Sequence, residues 1–391
     1  MKRIIKIGLL LSPAIFILWM ITFPPKTDMS DFNWTQTSEQ NDWKVSSPKA
    51  EGFNPDKLIE LHQQVTLRKS KKMQSLLITR NDKLIFEQYY PVRHSGDGTP
   101  MPDFFPPSPD TYHNIKSVTK TVTSTLIGHL LYKKEIANTD VSLFDYFNKK
   151  DIPNFEKKRQ IKLRHALDFN SGLDWAEWHE RHSDAMSMWL SDDPYQYIFQ
   201  KGIKDQPGKT FVYQGAMSVL LGGVIEKITK MNLKEYTNQA LFQPLGITHY
   251  DWFAHEVTGD YLGSSGLYLR PRDLAKLGQL YINQGVWNGQ RIFSKQWAQE
   301  SLKPKGKFWP NKSIAYGHNW WFPTIKKEGK KIDIAGMRGT GGQEVFIIPQ
   351  LQLTIVITSG AYMDQDDTYP FKLIVDYILP SLGIDEAEYI T

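Results

Sequence analysis

The 391-residue chain contains no cysteine. That absence excludes disulfide staples, thiol nucleophiles and thiolate metal sites. Also missing are a Gly-x-Ser-x-Gly elbow, a phosphate-binding glycine loop and a dinucleotide glycine motif. His179-Glu180-Arg181-His182 has the wrong spacing for a His-Glu-x-x-His zinc helix and reads as solvated surface. No metal or cofactor is therefore expected. The net charge of +5 is spread along the chain, with local clusters such as Lys326-Lys327 and Lys330-Lys331. No basic stripe with interleaved aromatics appears, so no nucleic-acid partner is expected. Internal repeats and low-complexity tracts are absent as well. Apolar and aromatic residues are plentiful, at 40% and 13% of the chain. That is ample for a packed core, and the 12 Trp and 18 Tyr leave rings to line a groove.

The first 26 residues place Lys2, Arg3 and Lys6 before an apolar run from Ile7 to Phe23. This is the charge layout of a membrane anchor or a secretory signal. Small-x-small cleavage residues are missing before Pro24, so an uncleaved inner-membrane anchor is expected, with the remainder in the periplasm. A cleaved signal would release the protein there instead. Residues 27–48 are polar and read as a linker. Residues 49–391 form the folded domain, with a helical insertion over about 111–310.

Asn54-Pro55 reads as an N-cap and first helical residue, followed by Leu58, Leu61 and Val65 on one face. Gln74 to Tyr90 alternates apolar and polar on both sides of Asn81-Asp82, the pattern of a β-hairpin. Helical patterns fill the middle. Strands are expected at Tyr316–Phe322, Lys331–Ala335, Glu344–Ile348 and Leu353–Thr358, with a last helix over Pro370–Leu382. The simplest assembly is an α/β (α+β) fold, in which the early hairpin joins the late strands in one antiparallel sheet. The first and last helices cover one face, and the helix that follows Ser117 covers the other with its neighbours.

That helix carries the chemistry. Val118, Val122, Leu126 and Leu130 recur at i, i+4 spacing, which buries it. Ser117 and Lys120, three apart, face the same way at its N-terminus, where backbone N–H groups and the dipole favour negative charge. A serine is a weak nucleophile until a neighbouring base takes its proton, and a lysine can be that base. A second copy of Ser-x-x-Lys, Ser46 to Lys49, lies in a proline-broken segment with no helix to hold it. Tyr213, between a Pro-Gly turn and a new helix, is the candidate second proton carrier. Oxyanion N–H groups are expected at Ser117 itself and in the glycine-rich run Arg338 to Gln343. Trp175 and Trp178 are candidate groove walls. Arg338, with Gly339, is a candidate for binding substrate. Its planar fork would favour a substrate carboxylate near the scissile bond.

Ser117-Val118-Thr119-Lys120, Tyr213 and the late glycine-rich strand resemble the three motifs of the serine β-lactamase and penicillin-binding superfamily. The resemblance runs from about Lys49 to Gly383 and is nearest the class C-like branch, which includes esterases and 6-aminohexanoate-dimer hydrolase. It implies a β-lactamase/transpeptidase-like fold and a serine acyl-enzyme, with Lys120 and Tyr213 as proton carriers. By position it implies Thr340 as the second oxyanion donor. Two departures stand out. The usual Tyr-x-Asn is Tyr213-Gln214-Gly215, and the usual Lys-Thr-Gly or His-x-Gly is Met337-Arg338-Gly339 or Arg338-Gly339-Thr340. Both argue against efficient β-lactamase or cell-wall peptidase activity and leave the acyl-transfer core intact. The expected function is hydrolysis of amide or ester bonds in a small-molecule or peptide-like substrate. The alternatives are a membrane-tethered binding protein that reuses the fold, or a D-Ala-D-Ala peptidase or β-lactamase.

Overall fold

The computed structural model describes residues 32–35, 42–67, 72–91, 107–178, 182–307, 314–362 and 368–390. The expected anchor lies outside the described residues. Among the described residues, no helix is long and apolar enough to cross a membrane. The chain divides into two units, Met1–Trp34 and Thr35–Thr391. In the first, the rings of Phe32 and Trp34 meet edge to face at 4.7 Å.

The second unit is built on a nine-stranded sheet. Its hairpin pairs Met73–Arg80 with Lys83–Tyr89 through Asn81-Asp82. Both turn residues have positive φ, +52° and +61°, which Asn and Asp tolerate better than most side chains. Met73–Arg80 then pairs with Leu353–Ser359, and the sheet continues through Gln343–Ile348 and Ala335–Gly339 to Trp320–Phe322. The early hairpin thus joins the late strands in antiparallel pairing, as the alternation implied.

Three expectations are corrected. The linker ends earlier than residue 48: Lys44–Val45 runs parallel to Lys83–Leu84, and Trp43 is buried. Tyr316–Phe322 is a hairpin and not one strand, because His318 and Asn319 take positive φ and reverse the chain. Lys331–Ala335 is divided. Lys330–Ile332 belongs to a small sheet with Thr324–Lys327 and the C-terminal Ala387–Ile390, whereas Ala335 opens a strand of the main sheet.

Pro55–Leu67 packs with the C-terminal helical run Tyr369–Ser381, and Phe371 of that run meets Phe346 of the sheet at 5.2 Å. The other face is covered chiefly by Pro271–Ile282. Gly278 permits this approach, since a Cβ there would stand 2.6 Å from the Thr354 methyl. The helix Val118–Tyr132 is one step further out, touching the sheet near Ala335–Gly339 and packing mainly on the helix Gly215–Thr229. Its apolar stripe is buried as expected, and so is its polar side. There Thr121 donates to the Asn319 carbonyl (2.7 Å), Ser124 to that of His318 (2.9 Å) and Thr123 to that of Gly263 (2.9 Å). Each hydroxyl gives a buried carbonyl the partner it would otherwise lack.

Candidate active site

Ser117 sits immediately before the helix Val118–Tyr132 and already has helical φ and ψ. The residue before it, Lys116, has φ +49°, an uncommon conformation for a residue with a side chain. The turn is held from both ends. Asn114 Oδ1 accepts the Lys116 N–H at 3.1 Å, and the Ile115 N–H donates to the Leu267 carbonyl at 3.0 Å. Ser117 is thereby presented at the end of a buried helix.

Lys120 Nζ donates to Ser117 Oγ at 2.8 Å and to the Ser264 carbonyl at 2.9 Å. The lysine side chain is buried. Ser264 reaches it because Gly263 threads between two helices: a Cβ at 263 would stand 2.4 Å from the Ser218 carbonyl oxygen. Tyr213 completes the group, with Lys120 Nζ 5.3 Å from the centre of its ring. The Tyr213 ring packs against Phe169 (5.2 Å) and Trp321 (5.5 Å). Its backbone neighbour Val212 donates to the Phe169 carbonyl at 2.8 Å. The tyrosine is therefore fixed in place while remaining only half-buried.

Ser117 and Tyr213 open onto one cavity of ≈ 290 Å³, whose rim includes Gly339, Thr340 and Gly341. Gly339 is pressed onto the Ser117 turn, for a Cβ there would meet the Ile115 carbonyl oxygen at 2.4 Å. Beyond it, Gly341 and Gly342 have φ of +89° and +85°, and the ring of Tyr362 occupies the space a Gly341 side chain would need. These glycines bring the backbone around Thr340 to the mouth of the cavity.

Arg338 also borders the cavity, but its guanidinium is engaged. Strand side chains alternate between faces, so Arg338 turns away from the side on which Gly339 meets the Ser117 turn. There Arg338 Nε donates to both oxygens of Glu344, at 3.1 and 2.9 Å, and the guanidinium lies 4.9 Å from the Phe371 ring centre. Glu344 thus gives the Arg338 Nε a carboxylate partner from within the protein, at the edge of the cavity. Trp175 and Trp178, unlike Arg338, do not border the cavity. Trp178 is largely exposed, and Trp175 is buried with its indole N–H donated to Glu177 Oε2 at 2.6 Å.

Ser264 and Glu177 carried no recognisable signal in the sequence. Ser264 contributes only a carbonyl, which every residue has; the sole hint was the Gly263-Ser264-Ser265-Gly266 loop. Glu177 lies in a polar aromatic stretch and gains its place by folding back onto the helix Gly215–Thr229. Gln214, in the middle of the second motif, is buried and structural: its Oε1 accepts from Ser171 Oγ at 2.7 Å. Among the described residues, no group of three His, Asp or Glu side chains is arranged to hold a metal ion.

The Beta-lactamase family model matches residues 70–377. The 6-aminohexanoate-dimer hydrolase of Paenarthrobacter ureafaciens is 21% identical over 281 residues, covering 66% of this chain and 68% of that protein. A protein of Escherichia coli (strain K12) named "Putative D-alanyl-D-alanine carboxypeptidase" is 22% identical over 52% of this chain and 49% of its own. Among solved structures, "Putative 6-aminohexanoate-dimer hydrolase from Bacillus anthracis" superposes with a TM-score of 0.69 at 19% identity, over 88% of each chain.

Proposed function

The chain belongs to the Beta-lactamase family, and from that premise we propose that it is a serine hydrolase of amide or ester bonds acting through an acyl-enzyme on Ser117. The 2.8 Å contact between Lys120 Nζ and Ser117 Oγ, at the mouth of a cavity, carries this reading. In its amine form Lys120 keeps an N–H on the Ser264 carbonyl and turns its lone pair to the serine hydroxyl. Ser117 Oγ attacks the substrate carbonyl carbon as its proton passes to Lys120 Nζ. The charge that develops on the carbonyl oxygen is met by the N–H groups of Ser117 and Thr340. Tyr213 passes a proton to the departing nitrogen or oxygen, and the C–N or C–O bond breaks. Water, deprotonated by the same groups, attacks the acyl ester and releases Ser117 with its proton restored.

The substrate class is a small molecule or short peptide-like chain, in keeping with a cavity of ≈ 290 Å³. The relative from Paenarthrobacter ureafaciens is named for an amide dimer, which agrees with an amidase reading. Turnover of short p-nitrophenyl esters tests the proposal. Release of p-nitrophenol is expected from the intact protein and not from Ser117→Ala; equal release from both would reject it, and no release from either would favour a binding protein.

A further inference from the structure

Nine large apolar side chains are exposed among the described residues, and five of them fall in two short segments. Trp178, Met186 and Leu190 lie in one, Phe253 and Val257 in the other, each more than half exposed. Folding brings the segments together. His255 Nε2 meets the Trp189 carbonyl at 3.1 Å. A Cβ on Gly266 would stand 3.3 Å from the Phe253 carbonyl oxygen and 3.6 Å from the Trp189 ring. Single exposed apolar residues are ordinary, but a gathering of them marks a surface that meets a partner. The charge there has one sign. Residues 182–200 and 249–266 hold six carboxylates and no lysine or arginine, in a chain of net charge +5. Asp184 pairs with Lys201, and Asp251 with Lys234. Asp192, Asp193, Glu256 and Asp260 have no ion-pair partner among the described residues. Burial pushes the Tyr195 phenol up, and Glu226, Asp260 and Asp193 push it further, so these carboxylates share one neighbourhood. A groove of ≈ 370 Å³ opens beside Leu190, walled by Ser191, Asp192, Asp193 and Tyr197. Lys201, also in its wall, is committed to Asp184.

We propose that this surface docks a basic, apolar segment of a partner protein. Leu190 and Phe253 take its apolar side chains, and the groove at Asp192 and Asp193 takes a lysine or arginine. Charge decides the occupant. Carboxylates without a cation are repelled by the anionic headgroups of a bilayer. They complement a segment in which Lys or Arg flanks Leu, Ile or Phe. An apolar centre with a charged rim is also the usual anatomy of a protein interface. The surface adjoins the active site. The Phe253 ring meets that of Tyr268 at 5.1 Å, and the Tyr268 hydroxyl accepts from Asn114 Nδ2 at 3.0 Å. Asn114 in turn holds the Lys116 turn that presents Ser117. The inference stands independently of the acyl-enzyme reading.

The test is fluorescence anisotropy of a short fluorescein-labelled amphipathic peptide of leucine and lysine, titrated with the full chain. Micromolar binding is expected, weakening as salt is raised, and none by the same peptide with glutamate for lysine. Asp192→Asn with Glu256→Gln should weaken binding about three- to tenfold, the worth of two exposed charge pairs. Leu190→Ser with Phe253→Ser should weaken it about tenfold or more, as loss of interface anchors does. All four side chains are exposed, so neither double variant threatens the fold. No binding of the peptide, or an affinity unchanged in either variant, overturns the proposal. Phosphatidylcholine vesicles that bind the chain more tightly than the peptide does, through Leu190 and Phe253, would make the surface a membrane contact and overturn it. Self-association in sedimentation velocity that Leu190→Ser with Phe253→Ser abolishes would assign the surface to a second copy and overturn it as well.

Discussion

Lys120 Nζ stands 2.8 Å from Ser117 Oγ, one helical turn along the same buried helix. The helix gives this geometry, since residues three apart on it share a face. Lys120→Ala should lower kcat/KM on a p-nitrophenyl ester by about 10²–10⁴, the usual contribution of general-base catalysis. Steady-state kinetics on the variant, with circular dichroism to confirm folding, measures it. An activity within threefold of wild type would remove Lys120 from the mechanism.

Gly263 places the Ser264 carbonyl on that lysine. A methyl group at 263 would press on the Ser218 carbonyl oxygen at 2.4 Å and on Thr123 Oγ1 at 2.9 Å. Gly263→Ala should therefore cost about 1–3 kcal/mol in urea unfolding, the range for overpacking. It should also lower kcat by displacing Ser264 from Lys120. A variant as stable and active as wild type would show that the loop has room to yield.

The pair of Arg338 with Glu344 predicts an asymmetry between single and double variants. The two side chains are 12% and 4% exposed. Breaking a buried pair from one side leaves an uncompensated charge, so Arg338→Met alone should destabilise by about 3–5 kcal/mol. Adding Glu344→Leu should recover most of that loss. Chemical denaturation of the two variants checks it; a double variant less stable than the single one contradicts it.

Glu226 gives the stability a pH dependence. Burial pushes its carboxyl up to about 7, against the pull of the Leu233 N–H bond to Oε1 at 2.8 Å. In the unfolded chain it ionises near the usual carboxylate value, so between about 4.5 and 7 the folded state binds more protons. Stability from this group thus falls as pH rises through that window and stays low above it. The shift corresponds to roughly 3 kcal/mol at most, by the usual conversion of pKa into free energy. Glu226→Gln should raise the thermal midpoint at pH 8.5 and change it little at pH 4.5. Equal effects at both pH values would contradict the assignment.

Much of this architecture was legible in the sequence, because local spacing carries it. Ser117, Lys120, the hairpin at Asn81-Asp82 and the helix start at Pro55 are short-range patterns tied to one backbone geometry. What was not legible is long-range. The Glu344 partner of Arg338 could not be read, because it depends on the pairing of two strands and on which residue of the strand meets Ile115. Trp175 was assigned to a groove on composition, and only folding shows it bound to Glu177. Residues 42–48 looked like linker because a two-residue strand and one buried tryptophan leave no periodicity. The turn at His318-Asn319 puts its glycine, Gly317, at the end of a strand and not at a positive-φ position, so two strands read as one.

The central claim is that Ser117 is the nucleophile, and labelling measures it most directly. A fluorophosphonate probe should modify the intact protein once, with the adduct mapped by peptide mass spectrometry to Ser117. Ser117→Ala should remain unlabelled, and Lys120→Ala should label far more slowly. A covalent adduct on any other residue, or labelling of Ser117→Ala at the wild-type rate, would contradict the account.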